Sequence, residues 1–308
     1  MKVASLFCGC GGLDFGFDRT PGYEMLLALD SQAHAVGVYN ANLTPVAQVR
    51  DVRALTEADK LLLGQADVIL GGPPCTDFST LGKMVMGANA DLSRVFCDIV
   101  CEAMPAYFVM ENVPAMLSVG AAVWAEVEGR FRDAGYGLST QVLHAVDYGV
   151  PQRRCRLIVV GTLCCDDGEV TPLLEALKVP HVSVRQQLEA DGLPPTHEAF
   201  WYNQRNQLRR AVFSMDDTHP TLCTRPIGNI PPNYTFLKND ATNDRTKVQR
   251  LTAAQIASVH TYPTDWVWPP SFSRTVTLIG NSVPPRLSSA LAQAVLLHSQ
   301  AALARATP

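Results

Sequence analysis

The run Asp67-Val68-Ile69-Leu70 leads straight into Gly71-Gly72-Pro73-Pro74-Cys75, and this junction constrains the fold more than any other stretch. A short apolar run bounded by turn residues predicts a buried strand. The glycine pair lets the backbone leave the sheet. The proline pair fixes two φ angles, so Cys75 is presented by stiff backbone. Tyr107-Phe108-Val109-Met110 is a second such run, and it ends in Glu111-Asn112-Val113. Parallel strands of an open α/β sheet place their carboxyl ends on one edge, where ligands bind. A thiol and a carboxylic acid at two such ends predict a nucleophile and a proton donor facing one pocket.

Strand-like runs alternate with helix-like stretches through the first half. Val3 to Phe7 reads as a strand followed by a glycine-rich turn. Glu24 to Leu29 is another, ending at Asp30, with Ser31 expected to cap a helix through Asn40. Val95 to Met104 and Ala121 to Ala134 have helical rhythm, and Leu157 to Gly161 is a late buried strand. This alternation predicts a Rossmann-like α/β fold, a doubly wound, mainly parallel sheet with helices on both faces.

Around Asp166 the pattern breaks, and the chain to about Arg274 is rich in Pro, Asn, Thr and Arg, with weak periodicity. Order returns at Val276-Thr277-Leu278-Ile279-Gly280. Pro285 to Ala304 then reads as a helix with Leu287, Leu291, Val295 and Leu296 on one side. The expected organisation is a main domain at 1–165, an inserted irregular module at 166–274, and a segment at 275–308 that returns to the sheet.

Composition excludes several classes. At 308 residues with 47% hydrophobic and 18% charged residues, the chain has ample material for a globular core. A net charge of −4 leaves no global basic field, so any nucleic-acid site must be a local patch. The nine cysteines lack disulfide-framework spacing, which points to a reducing compartment. Cys8/Cys10 and Cys164/Cys165 complete no tetrahedral ligand set, so no metal is expected. The N-terminal stretch shows no long apolar leader core, and no run reaches the length of a membrane span. A cytoplasmic protein is expected.

Phe7-Cys8-Gly9-Cys10-Gly11-Gly12-Leu13 follows the first strand, where glycines let backbone N–H groups approach a nucleoside-type ligand. Asp30 ends the second strand and can accept from ribose hydroxyls; Asp51 could take an adenine amino group, or be a solvated loop acid. In Gln152-Arg153-Arg154-Cys155-Arg156, strand periodicity would put Gln152, Arg154 and Arg156 on one face; a solvated charge run is the alternative. Gly280-Asn281-Ser282-Val283-Pro284-Pro285 is a rigid turn into a helix.

Taken together these elements resemble the DNA (cytosine-5)-methyltransferase family over nearly the full length. Its F-x-G-x-G-G element is present as Phe7 to Gly12, G-G-P-P-C as Gly71 to Cys75, and E-N-V as Glu111 to Val113. Q-x-R-x-R is Gln152 to Arg156 and G-N-S-V-P-P is Gly280 to Pro285, all in the family's order. The resemblance implies methyl transfer from S-adenosylmethionine to carbon 5 of a cytosine flipped out of duplex DNA, with S-adenosylhomocysteine as product. Cys75 would add to carbon 6, Glu111 would protonate ring nitrogen 3, and Arg154 and Arg156 would brace the cytosine carbonyl and Glu111. Phe7, Gly9, Gly11, Leu13, Asp30, Asp51, Val52, Pro73, Asn281 and Ser282 would line the cofactor pocket.

Thr76 to Arg94 resembles the loop that closes over the base, with Ser79, Lys83 and Arg94 toward DNA. The module at 166–274 corresponds to a target-recognition domain. Its basic residues, among them Arg205, Arg209, Arg210, Arg245, Lys247 and Arg250, would hold phosphate, and Thr224 and Arg225 would touch bases. The chain departs from the family at Cys10, where a small or branched apolar residue is usual. It departs again at Thr76-Asp77 after the nucleophile, at Gln255, and at His260-Thr261-Tyr262-Pro263, where Gln-Gly-Phe-Pro is common.

A monomer acting on duplex DNA is expected, in a prokaryotic or phage setting, with a cognate restriction endonuclease as a candidate partner. The alternatives are an RNA (tRNA) cytosine-5 methyltransferase on the same scaffold and a non-catalytic DNA-binding relative. A nicotinamide dehydrogenase explains the glycines and Asp30 but neither Cys75 nor Glu111.

Overall fold

The computed structural model describes residues 1–74, 90–202, 211–225 and 228–306. In chain order the first elements are β1 (Lys2–Leu6), α1 (Asp14–Arg19), β2 (Glu24–Asp30), α2 (Ala33–Asn42), β3 (Ala47–Val49) and α3 (Glu57–Leu63). They continue with β4 (Val68–Gly71), α4 (Ala90–Ala103), β5 (Tyr107–Asn112), α5 (Ala121–Asp133), β6 (Tyr136–His144), the short β7 (Gln152–Arg153) and β8 (Cys155–Leu163). The seven-stranded sheet has the order β3-β2-β1-β4-β5-β8-β6. Strands β1 to β5 pair in parallel, and β8 alone runs counter, antiparallel to both β5 and β6. The mainly parallel sheet agrees with expectation. The reversed direction of β8 and the existence of β6 are additions.

Strand order reverses between β1 and β4, which opens a crevice at their carboxyl ends. Both faces are covered. Leu6, Ile69, Phe96, Phe108 and Phe131 fill one side, with Phe108 stacked on Phe131 at 4.2 Å. Val3, Phe17, Leu70 and Val109 fill the other against the C-terminal helix.

The remaining elements are α6 (Thr171–Ala176), α7 (Val184–Ala190), β9 (Ala199–Trp201), β10 (Val212–Ser214), β11 (His219–Pro220), β12 (Val248–Gln249), α8 (Ala253–Val259), α9 (Phe272–Asn281) and α10 (Pro285–Ala306). A small sheet of order β10-β9-β12 and long irregular stretches make up the module, and β11 pairs with β7 of the main body.

Just past the expected boundary at 165, Val170 and Leu174 are buried in one cluster with Val3 and Leu287, so α6 packs on the main core. The apolar run at Val276 does not return to the sheet. Its buried residues Thr275, Val276, Leu278 and Ile279 repeat with helical spacing and form α9. Ser31 does not cap α2; the Asp30 carboxylate accepts from the Gln32 amide just ahead of that helix instead. Gln255, by contrast, closes a reciprocal cap with Thr252 at the start of α8, a role that Gln and Glu share.

Candidate active site

The crevice is assembled from strand ends. After β1 the chain turns sharply through Phe7 (φ 57°), Gly9 (φ 55°) and Gly11 (φ 88°). Phe7 is a non-glycine residue held in the left-handed region, a strained conformation that recurs at ligand sites. Asp30, at the end of β2, fixes this loop: one carboxylate oxygen accepts from the Gly9 amide at 2.9 Å, the other from Gln32 at 2.8 Å. An ionised carboxylate has about four lone-pair positions, so acceptor capacity remains at Asp30. Nothing lies within 4 Å of where a side chain on Gly9 would begin. The loop is therefore open above Gly9, and its donors and acid fit a nucleoside-bearing cofactor. Leu13, Val52 and Pro73 are buried, while Asn281 is exposed at the end of α9, followed by half-buried Ser282.

At the next strand ends, Glu111 Oε1 accepts from Arg156 Nε at 2.7 Å, both side chains being only 12% and 14% exposed. Gly72 lies against the other carboxylate oxygen: a Cβ there would stand 3.3 Å from Glu111 Oε2. The described chain runs on through Pro74, one peptide bond short of Cys75. Cys75, Ser79 and Lys83 lie outside the described residues, as do Arg205, Arg209 and Arg210.

Several of the expected site residues have partners within the chain. Arg154 is one. It is buried, and its guanidinium donates to the main-chain oxygens of Leu222 (3.3 Å), Gly280 (3.1 Å) and Ser282 (2.8 Å). Arg154 lies between β7 and β8, and Gln152 and Arg154 are buried on one side while Arg153 between them is exposed. Burial holds the Arg154 guanidinium down to about 9. Asp51 caps a single helical turn and engages Arg53 through both oxygens, which lowers its carboxyl to about 2. Arg94 pairs with Glu126 at 2.8 Å, tying α4 to α5. Some of the described basic residues of the module also have partners within the chain. Arg245 donates to the carbonyls of Pro231 and Pro232, Lys247 pairs with Glu198 at 3.1 Å, and Arg250 lies 4.0 Å over the Phe272 ring. Arg225 is exposed and Thr224 half-buried, the latter anchored through its carbonyl by Thr277 at 3.0 Å.

Periodicity gave no sign of a buried polar chain behind this site. The Gln152 amide contacts His260 Nδ1 at 2.9 Å and accepts from the Leu222 amide at 2.9 Å, and His260 Nε2 meets the Ser282 carbonyl at 3.1 Å. The only hint in the sequence was the departure at His260. Elsewhere, ligand atoms of Cys165, Glu169 and His298 lie within 4.8 Å of one another. Both ring nitrogens of His298 are already engaged, with Glu169 at 2.8 Å and the Tyr107 hydroxyl at 3.0 Å, so the group reads as an ion-pair cluster.

The reversed sheet order, the open glycine loop and the acid at the end of β2 define a Rossmann-like fold of the kind that binds a nucleoside-bearing cofactor. The profile of the C-5 cytosine-specific DNA methylase family matches residues 1–189 and 181–296. Type II methyltransferase M.HindV of Haemophilus influenzae is 33% identical over 302 residues, covering 96% of each chain. M.HgiDI of Herpetosiphon aurantiacus is 33% identical over 298 residues, covering 95% of this chain and 93% of that protein. Two solved structures share the fold with a TM-score of 0.70. One is described as a putative DNA modification methyltransferase encoded within an E. coli prophage (19% identity, 97% of this chain, 99% of that one). The other is the S. pombe Dnmt2 methyltransferase (17% identity, with the same coverage). The chain belongs to the C-5 cytosine-specific DNA methylase family, and it is a DNA cytosine-5 methyltransferase. Among the described residues no helix is long and apolar enough to cross a membrane.

Proposed function

We propose that the enzyme works through a covalent Cys75 adduct, with Glu111 as proton donor and Arg156 as its holder. The thiolate of Cys75 adds to carbon 6 of the cytosine, the ring electrons move toward nitrogen 3, and Glu111 delivers a proton there. Carbon 5 then carries the electron pair that takes the methyl group. Loss of the carbon 5 proton, with ordered water as the candidate base, expels Cys75, and return of the nitrogen 3 proton to Glu111 restores the neutral ring and the acid. When bound, S-adenosylmethionine supplies an electrophilic methyl group. The chain's part is to hold it through the Phe7–Leu13 loop, Asp30, Val52, Pro73, Asn281 and Ser282. No metal enters this scheme.

The observation that carries this reading is the half-buried Glu111–Arg156 pair at 2.7 Å beside the Gly72 turn. Arg156 occupies Oε1, which leaves Oε2, on the Gly72 side, as the oxygen that bears the proton. The target ring is stacked in a duplex, so it must be extruded to reach this crevice. Thr224 and Arg225, with Ser79 and Lys83, are the proposed DNA contacts.

Because relatives on both sides are named as type II methyltransferases, the proposed setting is the cytoplasm of a bacterium. There a monomeric enzyme would protect DNA from a cognate endonuclease. The test is duplex DNA carrying 5-fluorocytosine: the native chain is expected to form a covalent complex that survives denaturation, and Cys75→Ser to form none and to lose methyl transfer. A complex of equal yield with Cys75→Ser would overturn the mechanism.

A further inference from the structure

Two positions at which the sequence departs from its relatives' pattern, Cys10 and Tyr262, face each other. Their side chains meet at 3.2 Å, Cys10 Sγ to Tyr262 Oη, although 252 residues separate them in the chain. Cys10 belongs to the glycine-rich loop after β1, and Tyr262 follows α8 in the module. Both are buried, Cys10 to 2% exposure and Tyr262 to 1%. Burial holds the thiol up at about 12 and pushes the phenol higher still, so the contact is a neutral hydrogen bond. The Tyr262 hydroxyl also neighbours the Ser282 side chain, and both crowd Gly12, where a Cβ would lie 2.8 Å from that hydroxyl and closer still to the Val283 carbonyl.

The ring is pinned in place. Trp266 and Trp268 each lie 4.8 Å from Tyr262, and His260 is stacked beside it at 5.9 Å. A ring so confined has little rotational freedom to lose when its hydroxyl bonds, so the position of the hydroxyl is dictated by the module. Cys10 Sγ also lies 3.8 Å from the Leu278 carbonyl of α9. The loop that begins at Phe7 is thus fastened to the segment that ends in Asn281 and Ser282.

We infer that Cys10 and Tyr262 are a coupled positioning pair, which sets the gap between the two cofactor-lining stretches, residues 7–13 and 281–282. This rests on the reading of those stretches as the S-adenosylmethionine site. Neither side chain touches the reacting atoms. Their bond links the registration of the recognition module to that of the cofactor loop.

The distinguishing property is reciprocity. Removing one partner of a buried hydrogen bond strands the other, whereas replacing both by apolar groups can be nearly neutral. Cys10→Val, Tyr262→Phe and the double variant are compared by calorimetric titration with S-adenosylhomocysteine and by thermal melting of the ligand-free chain. Each single change is expected to weaken binding about fivefold and lower the melting temperature, and the double variant to return to within about twofold of the native chain. Losses that simply multiply in the double variant would overturn the proposal.

Cys10→Ser, which keeps a donor and acceptor, guards against a single variant that fails to fold. It is expected to bind like the native chain, and a loss as large as that of Cys10→Val would also overturn the pair. Asp30→Ala separates the two readings. If it leaves S-adenosylhomocysteine binding unchanged, the cofactor site itself is misplaced and the inference falls with it. If it weakens binding while the cycle is additive, only the pairing is wrong.

Discussion

Glu111 and Arg156 meet at 2.7 Å because β8 runs antiparallel to β5, with Glu111 opposite Ile158 and Arg156 two residues before it. A parallel strand at that place would carry its own carboxyl end to the crevice edge. The reversed strand instead brings its first residues there, and with them a guanidinium for the acid. Function at this edge depends on the one strand that breaks the sheet's direction.

The first prediction concerns that pair. Arg156→Lys keeps the charge but loses the planar fork that holds Oε1. It is expected to lower kcat about tenfold or more, while KM for DNA stays within about threefold. Single-turnover methyl transfer to a duplex with one target site checks this. An unchanged rate would mean that the pair does not orient Glu111.

Arg154 gives the opposite pattern. Arg154→Leu leaves the carbonyls of Leu222, Gly280 and Ser282 without their donor, at an expected cost of about 3 kcal/mol in stability. Urea unfolding measures it. A variant as stable as the native chain would refute the anchoring role.

Asp14 predicts a pH dependence. It is buried in the first turn of α1, burial pushes its carboxyl up to about 7 against the opposing effect of the neighbouring Ser5 and Tyr39 hydroxyls, and one oxygen accepts from the Tyr39 hydroxyl at 3.2 Å. Folded chains therefore keep this proton where unfolded chains, with a carboxyl near 4, have lost it. The stability it contributes is full below about pH 4 and is lost as pH rises through about 7. Asp14→Asn keeps a neutral acceptor for Tyr39. Its melting temperature is expected to fall less between pH 5 and 8 than that of the native chain, by about a few degrees. Parallel melting curves for the two proteins would rule this out.

The strand ends were legible because buried runs followed by Gly, Pro or an acid are local signals, and Phe7, Asp30, Gly72 and Glu111 all lie where such runs stop. Strand direction is not a local signal, so nothing in Leu157–Gly161 revealed that β8 is reversed. Val276–Gly280 was read only as a return of order, because five residues do not separate a strand from one side of a helix. Only the burial of Thr275, Val276, Leu278 and Ile279 in pairs makes the difference. Arg154 was assigned to the substrate from the family resemblance, and nothing local showed that its guanidinium is buried against the carbonyls of Leu222, Gly280 and Ser282. Cys10 and Tyr262 stood out only as exceptions, and their contact spans too much chain for any periodicity to register.

The anchoring of the segment around Leu222 has an evolutionary consequence. Arg154 grips it by peptide oxygens, Thr277 does the same at Thr224, and the Gln152 side chain takes the Leu222 amide. None of these grips reads which side chain the held residue carries. The side chains of this segment, proposed above as DNA contacts at Thr224 and Arg225, are thereby free to be exchanged for others while the mounting stays intact, a route by which new target sequences would arise without redesign of the catalytic body.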